Sequence, residues 1–256
     1  MPSIDIVPPI VREPFPPGRS SRCFCGSGLR FKNCCGQSGM VQGRKPPSGI
    51  GVVEEFIAAE ACAEVCEFAR SSPAEWLEVV DMQRSTQENV VRIRDERRKT
   101  ERVDVKAIQE RLNGWIQRAL TDVIEPDLER PFDWFELPQL LKYTAGGLYD
   151  SHADSDSFDT RDGRWKKTLD RDISLLIYLN NEYEGGSLLF EHFDFTIQPR
   201  AGMLVYFPSD MRYQHEARPV TSGLRFALVS WARLADEPRV LANAPRDVVQ
   251  VHPAKD

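Results

Sequence analysis

His152 and Asp154 are separated by one residue, and in extended backbone such a pair points to the same face. An imidazole and a carboxylate can therefore reach one metal ion from a single strand end. The chain has only four histidines, His152, His192, His215 and His252. His215 follows the apolar run MLVYF and the turn PSDMRYQ, and is the best third ligand. Two imidazoles and one carboxylate leave three adjacent positions open, an arrangement suited to non-haem iron(II) and oxygen chemistry. Ten residues after His215, Arg225 opens the run RFALVSW. Its planar fork suits a carboxylate in a buried pocket. Taken singly, a His-x-Asp pair is usually a turn or surface feature and a strand arginine is usually solvated. The joint pattern is much rarer than its parts.

A second cluster lies near the start. RCFCGSGLRFKNCCG places Cys23, Cys25, Cys34 and Cys35 in the spacing Cys-x-Cys-x8-Cys-Cys. Four thiolates so close suit a closed, structural zinc site. A redox pair is the alternative, for which adjacent Cys34 and Cys35 are awkward. Cys62 and Cys66, four apart in a helical stretch, read as buried packing residues. His192 lacks a carboxylate two residues away and reads as structural. His252 reads as exposed.

These residues need elements to position them. Residues 1–20 are proline-rich and expected to be flexible, 21–38 form the cysteine module, and 39–51 read as a linker. Residues 52–70 suit an amphipathic helix, and so do 104–124, which Pro126 is expected to stop. Residues 76–80 read as a strand, and the charged stretch 83–102 as exposed. After Pro131 the texture changes to short runs, QLLKY, ISLLIYL, SLLFE, FTIQ, MLVYF and RFALVSW, whose length and aromatic content predict strands. The expected fold is α+β but mainly β: a double-stranded β-helix (jelly roll) with supporting N-terminal helices, over 52–235, preceded by a small zinc knuckle. Residues 236–256 read as a surface tail. Residues 155–172, next to the His-x-Asp pair, form a long polar insertion suited to a lid or substrate element, with Phe158 and Trp165 as anchors.

Charge divides the same way. Residues 1–49 carry a net +5 and the remainder −11, so a basic head precedes an acidic body. No run of eighteen apolar residues occurs, so no transmembrane helix is expected, and the N-terminus lacks a signal-peptide pattern. A cytoplasmic location is the default.

Several stretches resemble the prolyl-4-hydroxylase-like branch of the 2-oxoglutarate/iron(II) oxygenases. EEFIAAEACAEVCEFAR is similar to that family's opening helix. KYTAGGLYDSHADSD resembles its His-x-Asp segment, RDISLLIYLNNEYEGGSLLF its next strand pair, and AGMLVYFPSDMRYQHEARPVTSGLRFALVSW its closing segment. The resemblance implies that His152, Asp154 and His215 bind iron and that Arg225 pairs with the distal carboxylate of 2-oxoglutarate. Tyr178 would hydrogen-bond that carboxylate, Tyr143 would face the pocket, and Trp231 would line its back. It further implies dioxygen as cosubstrate, ascorbate as an accessory reductant, succinate and carbon dioxide as products, and a hydroxylated C–H bond. A protein side chain, prolyl first, is the leading substrate by analogy; a free amino acid or small metabolite, or a non-catalytic adaptor role, are the alternatives. The cysteine run resembles the SEC-C motif, which implies Cys23, Cys25, Cys34 and Cys35 as zinc ligands and docking to a protein or the ribosome. RNA is a weaker reading, because only Phe24 and Phe31 could stack on bases.

Overall fold

The computed structural model describes residues 10–24, 28–35, 46–80 and 92–252. Cys25 and residues 36–38 of the cysteine module, residues 39–45 of the expected linker and residues 83–91 of the charged stretch lie outside them.

The runs after Pro131 form strands, as their alternation predicts. They pair into two main antiparallel sheets. The larger runs in the order Gly51–Val53, Leu204–Pro208, Ile173–Tyr178, Arg225–Leu234, Gln139–Tyr143, Glu101–Val103, Ala74–Trp76. Phe132–Glu136 joins the far end of Arg225–Leu234, and Val248–Gln250 pairs with it in turn. The smaller sheet is Phe195–Ile197, Leu188–Phe190, His215–Ala217, Leu148–His152, Arg98–Lys99. This is the expected jelly roll.

Period-two alternation sorts the large sheet into two faces. Leu140, Leu175, Ile177, Leu204, Phe226 and Leu228 point to one side and pack with the helices. Tyr178, Val205, Phe207 and Ala227 belong to a second apolar cluster with Leu188, Phe190 and Ile197 of the small sheet. Leu141, Tyr143 and Val229 belong to a third. One sheet thus has a structural face under helices and a face turned to the space between sheets. Each fully buried Leu, Ile or Phe contributes roughly 1.5–3 kcal/mol relative to exposure.

Helix Ala59–Ser71 buries Cys62, Val65, Cys66 and Ala69, an i, i+3, i+4, i+7 stripe. It starts later than the expected 52–70. Val52 and Val53 instead pair with Val205 and Leu204, because a β-branched pair finds an open sheet edge there. The second helix also differs in its end. It runs as Gln109–Arg118, a π-helical stretch Ala119–Ile124, and Glu125–Leu128. Glu125 N–H bonds five residues back to Leu120, so the widened turn takes in Pro126 without a break. The chain turns off at Glu129, in the left-handed region.

The structure adds detail to other expected segments. Residues 10–20 are fixed rather than flexible: Ile10–Val11 pairs with Arg164–Lys167, and the Arg12 guanidinium donates to Asp156 at 2.8 and 3.0 Å. The 76–80 strand is two pieces, Ala74–Trp76 and Val79–Val80, and residues 92–102 are not simply exposed, since Arg98–Lys99 and Glu101 take part in strands. The insertion is a hairpin, Asp156–Asp159 against Arg164–Lys167, with Phe158 and Trp165 in edge contact at 5.6 Å.

Candidate metal and cosubstrate site

His152 ends one strand of the small sheet and His215 begins its neighbour, and the two are register partners. A bulge lies between Tyr149 and His152 on that ladder, and such irregularities re-aim side chains at strand ends. Asp154 follows His152 and is held from the backbone by its N–H bond to Ser209 O. The ligand atoms of His152, Asp154 and His215 all lie within 4.8 Å of one another. Each Nε2 stands 3.6 Å from a different Asp154 oxygen.

The imidazole tautomers follow from their neighbours. His152 Nδ1 meets Asp150 O at 2.8 Å and His215 Nδ1 meets Tyr213 O at 3.1 Å. A backbone carbonyl only accepts, so both Nδ1 atoms carry the proton and both Nε2 lone pairs face Asp154. Burial, with His152 beside it, pushes the His215 pKa down to about 4, so its ring is neutral at pH 7. Burial alone would raise the Asp154 pKa. In acid, positive charge on the His215 ring first, with His152 and the Ser174 hydroxyl, which donates at 2.6 Å, outweighs it and holds the carboxyl well below its ordinary range. Two imidazoles and one carboxylate are the donor set a divalent transition metal takes.

Register also builds the second half of the site. Arg225 pairs with Tyr143, and Ala227 pairs with Leu141 on one side and Tyr178 on the other. Arg225, Ala227, Val229 and Trp231 therefore share the face between the sheets. The Arg225 guanidinium is 2% exposed and lies 3.9 Å above the Tyr143 ring and 6.0 Å from the Tyr178 centroid. Its Nη1 donates to Gly186 O at 2.6 Å. Gly186 has a φ of 62°, and a Cβ there would come within 3.2 Å of Arg225 Cδ, which accounts for a glycine at this position. Arg225 Nε is buried with no hydrogen-bond partner, and so is Tyr183 Oη. Burial raises the pKa of both Tyr178 and Tyr183, so both phenols keep their protons. Unmatched buried donors cost about 1–3 kcal/mol each, and an anionic ligand would satisfy them.

Arg225, Tyr143, Tyr178, Trp231 and the three metal-type ligands line one cleft of about 1360 Å³. The Trp231 ring is covered by the Arg171 guanidinium at 3.8 Å, itself held by Glu136. Sequence reasoning missed Ser174, Tyr149, Tyr183 and Arg98. Tyr149 stacks on His152 at 3.6 Å, and the Arg98 guanidinium caps Tyr149 at 4.5 Å. Of these, only Ser174 was findable, as the polar residue interrupting the apolar run ISLLIY.

The other singled-out residues lie elsewhere. Cys23, Cys34 and Cys35 bring their sulfurs within 4.8 Å of one another, a second metal-type cluster. His192 contacts Gln214 Oε1 at 3.1 Å and the Phe15 ring, and belongs to neither cluster. His252, largely exposed, contacts Glu125. Cys62 and Cys66 are buried, which pushes their pKa up to about 11 and about 12, so neither is a thiolate at neutral pH.

Residues 138–233 match the model of the 2OG-Fe(II) oxygenase superfamily, and residues 19–37 match that of the SEC-C motif. A PKHD-type hydroxylase of Stenotrophomonas maltophilia (strain R551-3) is 33% identical over 100 residues, 38% of this chain and 42% of that protein. Prolyl 3-hydroxylase 2 of Homo sapiens is 33% identical over 84 residues, 31% of this chain and 12% of that protein. The chain thus spans less than half the length of these curated relatives. Among solved structures, the viral collagen prolyl hydroxylase vCPH from Paramecium Bursaria Chlorella virus-1, as its 2OG complex, aligns with a TM-score of 0.50 at 18% identity, covering 72% of this chain and 95% of that one. A prolyl hydroxylase from Trichoplax adhaerens, in complex with a hypoxia inducible factor oxygen degradation domain peptide fragment, aligns at 0.51 and 19% identity, covering 72% and 83%. These structures share the fold. Among the described residues, no helix is long and apolar enough to cross a membrane.

Proposed function

We propose that this chain is an Fe(II)- and 2-oxoglutarate-dependent dioxygenase that hydroxylates a protein side chain, prolyl first among the candidates. One observation carries the reading. Two Nδ1-protonated imidazoles and an ionised carboxylate converge in the same cleft as a buried arginine with an unmatched Nε. When bound, the iron and the keto-diacid supply dioxygen activation, with oxidative decarboxylation to succinate and carbon dioxide and hydroxylation of a C–H bond.

The rest is the work of this chain's residues. His152 and His215 would ligate through Nε2 and Asp154 through a carboxylate oxygen, with Ser174 holding the other. Arg225 would bind the distal carboxylate through its free Nε, with Tyr178 and Tyr183 as phenol donors. Tyr143 and Trp231 would wall the pocket and exclude water. Ascorbate would act as an outside reductant. Cys23, Cys34 and Cys35, with Cys25, would hold a structural zinc; thiolate ligation favours a reducing compartment, the cytoplasm. The exposed Arg22 and Arg30, with the half-buried Lys32, would face a protein or ribosomal partner.

The test is succinate release in the presence of Fe(II) and 2-oxoglutarate, with and without proline-containing candidate proteins. Wild-type protein should turn over, even uncoupled, and Asp154→Ala should not. Wild-type protein that binds both but never releases succinate would support an adaptor instead. Mass spectrometry of proteins from cells with and without the chain should then find an added oxygen atom on the substrate.

A further inference from the structure

The cysteine module is packed against the element that carries His215. Phe24, between the module's cysteines, touches Phe193 at 5.9 Å and meets the Tyr213 ring edge-on at 6.4 Å. Phe193 in turn meets Tyr213 at 5.3 Å. Phe15 closes the group, 5.1 Å from Phe24 and 6.5 Å from Phe193. Phe24 and Cys35 both pack on the apolar cluster that holds Phe193, Tyr213 and Phe207. The Arg212 guanidinium lies 5.8 Å from the Phe24 centroid and 5.9 Å from that of Tyr213.

Tyr213 is held from its far end as well. Its hydroxyl donates to Ser48 O at 2.8 Å, and a Cβ on Gly49 would come within 2.3 Å of the Tyr213 hydroxyl oxygen. A second clamp lies nearby, where Asp156 accepts Arg12 and the Met211 N–H at 3.0 Å. Tyr213 is also the residue whose carbonyl takes the His215 Nδ1 proton. A ring fixed on three sides fixes its own backbone oxygen, and that oxygen sets the His215 plane.

We infer that the cysteine module is a positioning element of the metal site: Phe24, through Tyr213 and its carbonyl, orients His215 for metal binding. The inference rests on His215 being a metal ligand, as proposed above. It gives the module a role within the chain, separate from any outside partner. Loss of a ligand-orienting contact typically weakens metal affinity about 10–100-fold. Phe24 acts one residue further out, so the low end is expected.

The experiment titrates full-length protein with Mn(II) and reads free Mn(II) by electron paramagnetic resonance. Mn(II) favours nitrogen and oxygen donors over thiolates, so it reports on the His/Asp site. Phe24→Ala should bind about tenfold more weakly than wild type, Phe24→Tyr and the exposed Arg22→Ala as wild type does. In metal-free protein, the His215 Nδ1–H resonance should broaden or move in Phe24→Ala alone. If Phe24→Ala does not accumulate as folded protein, Phe24→Leu is read in the same way. Wild-type affinity with an unchanged resonance in the Phe24 variant would overturn the inference. Failure of the wild type itself to bind Mn(II) would instead remove the proposed function, and this inference with it.

Discussion

Arg225 commits Nη1 to the backbone, at Gly186 O, and leaves the buried Nε without a partner. The Nε–H is free to answer to a ligand. Arg225→Ala should therefore raise the KM for 2-oxoglutarate by about 10–100-fold, the equivalent of a charged hydrogen bond worth roughly 1.5–3 kcal/mol. Initial rates against 2-oxoglutarate concentration check this; an unchanged KM would argue for a metalloenzyme that uses no keto-diacid. At this scale the ligand set was readable because His-x-Asp places two donors on one face by local spacing alone. Tyr183 and Tyr149 were not readable. Their neighbours, Arg225 and Arg98, come from strands far along the chain, and no spacing encodes that register.

The elements show where local pattern and tertiary context part. Strands after Pro131 were legible because alternating burial dictates their periodicity. Val52–Val53 was not, since its partner edge, Leu204–Tyr206, lies about 150 residues away and overrides a helix-compatible pattern. The join between that strand and the first helix depends on Gly202. Its φ is 80°, its N–H bonds to Tyr178 O, and its carbonyl accepts Ile57 N–H. A Cβ there would fall 2.1 Å from Ile57 O. Gly202→Ala should lose about 2–4 kcal/mol from left-handed strain and overpacking together. Urea unfolding should show a lower midpoint with little change in slope; an unchanged midpoint would mean the strand–helix junction can relax freely.

Over the whole molecule, N-terminal residues reach across to the metal-ligand segment. Arg12 meets Asp156, whose side chain has no exposed surface and which lies two residues past Asp154. Arg12→Ala would leave that carboxylate buried with only Ser155 and Met211 as donors. The expected loss is about 1–3 kcal/mol, with the Ile10–Val11 strand released from the insertion hairpin. Hydrogen exchange should then rise at residues 10–12 and 164–167 together; a rise at the N-terminus alone would mean the hairpin does not need the added strand. The basic head and acidic body were visible as a charge asymmetry. Their coupling was not, because it depends on one buried ion pair and a few aromatic contacts among residues far apart in sequence.

The tail contributes at the opposite end. Val248–Gln250 lies along Phe132–Glu136, and Val251 is buried beneath it. Without that cover, Phe132–Glu136 would present bare amide and carbonyl groups along the edge of an aromatic strand, FDWFE. Such a rim invites another polypeptide to zip onto it, so what looks like a trailing end is a guard against self-association.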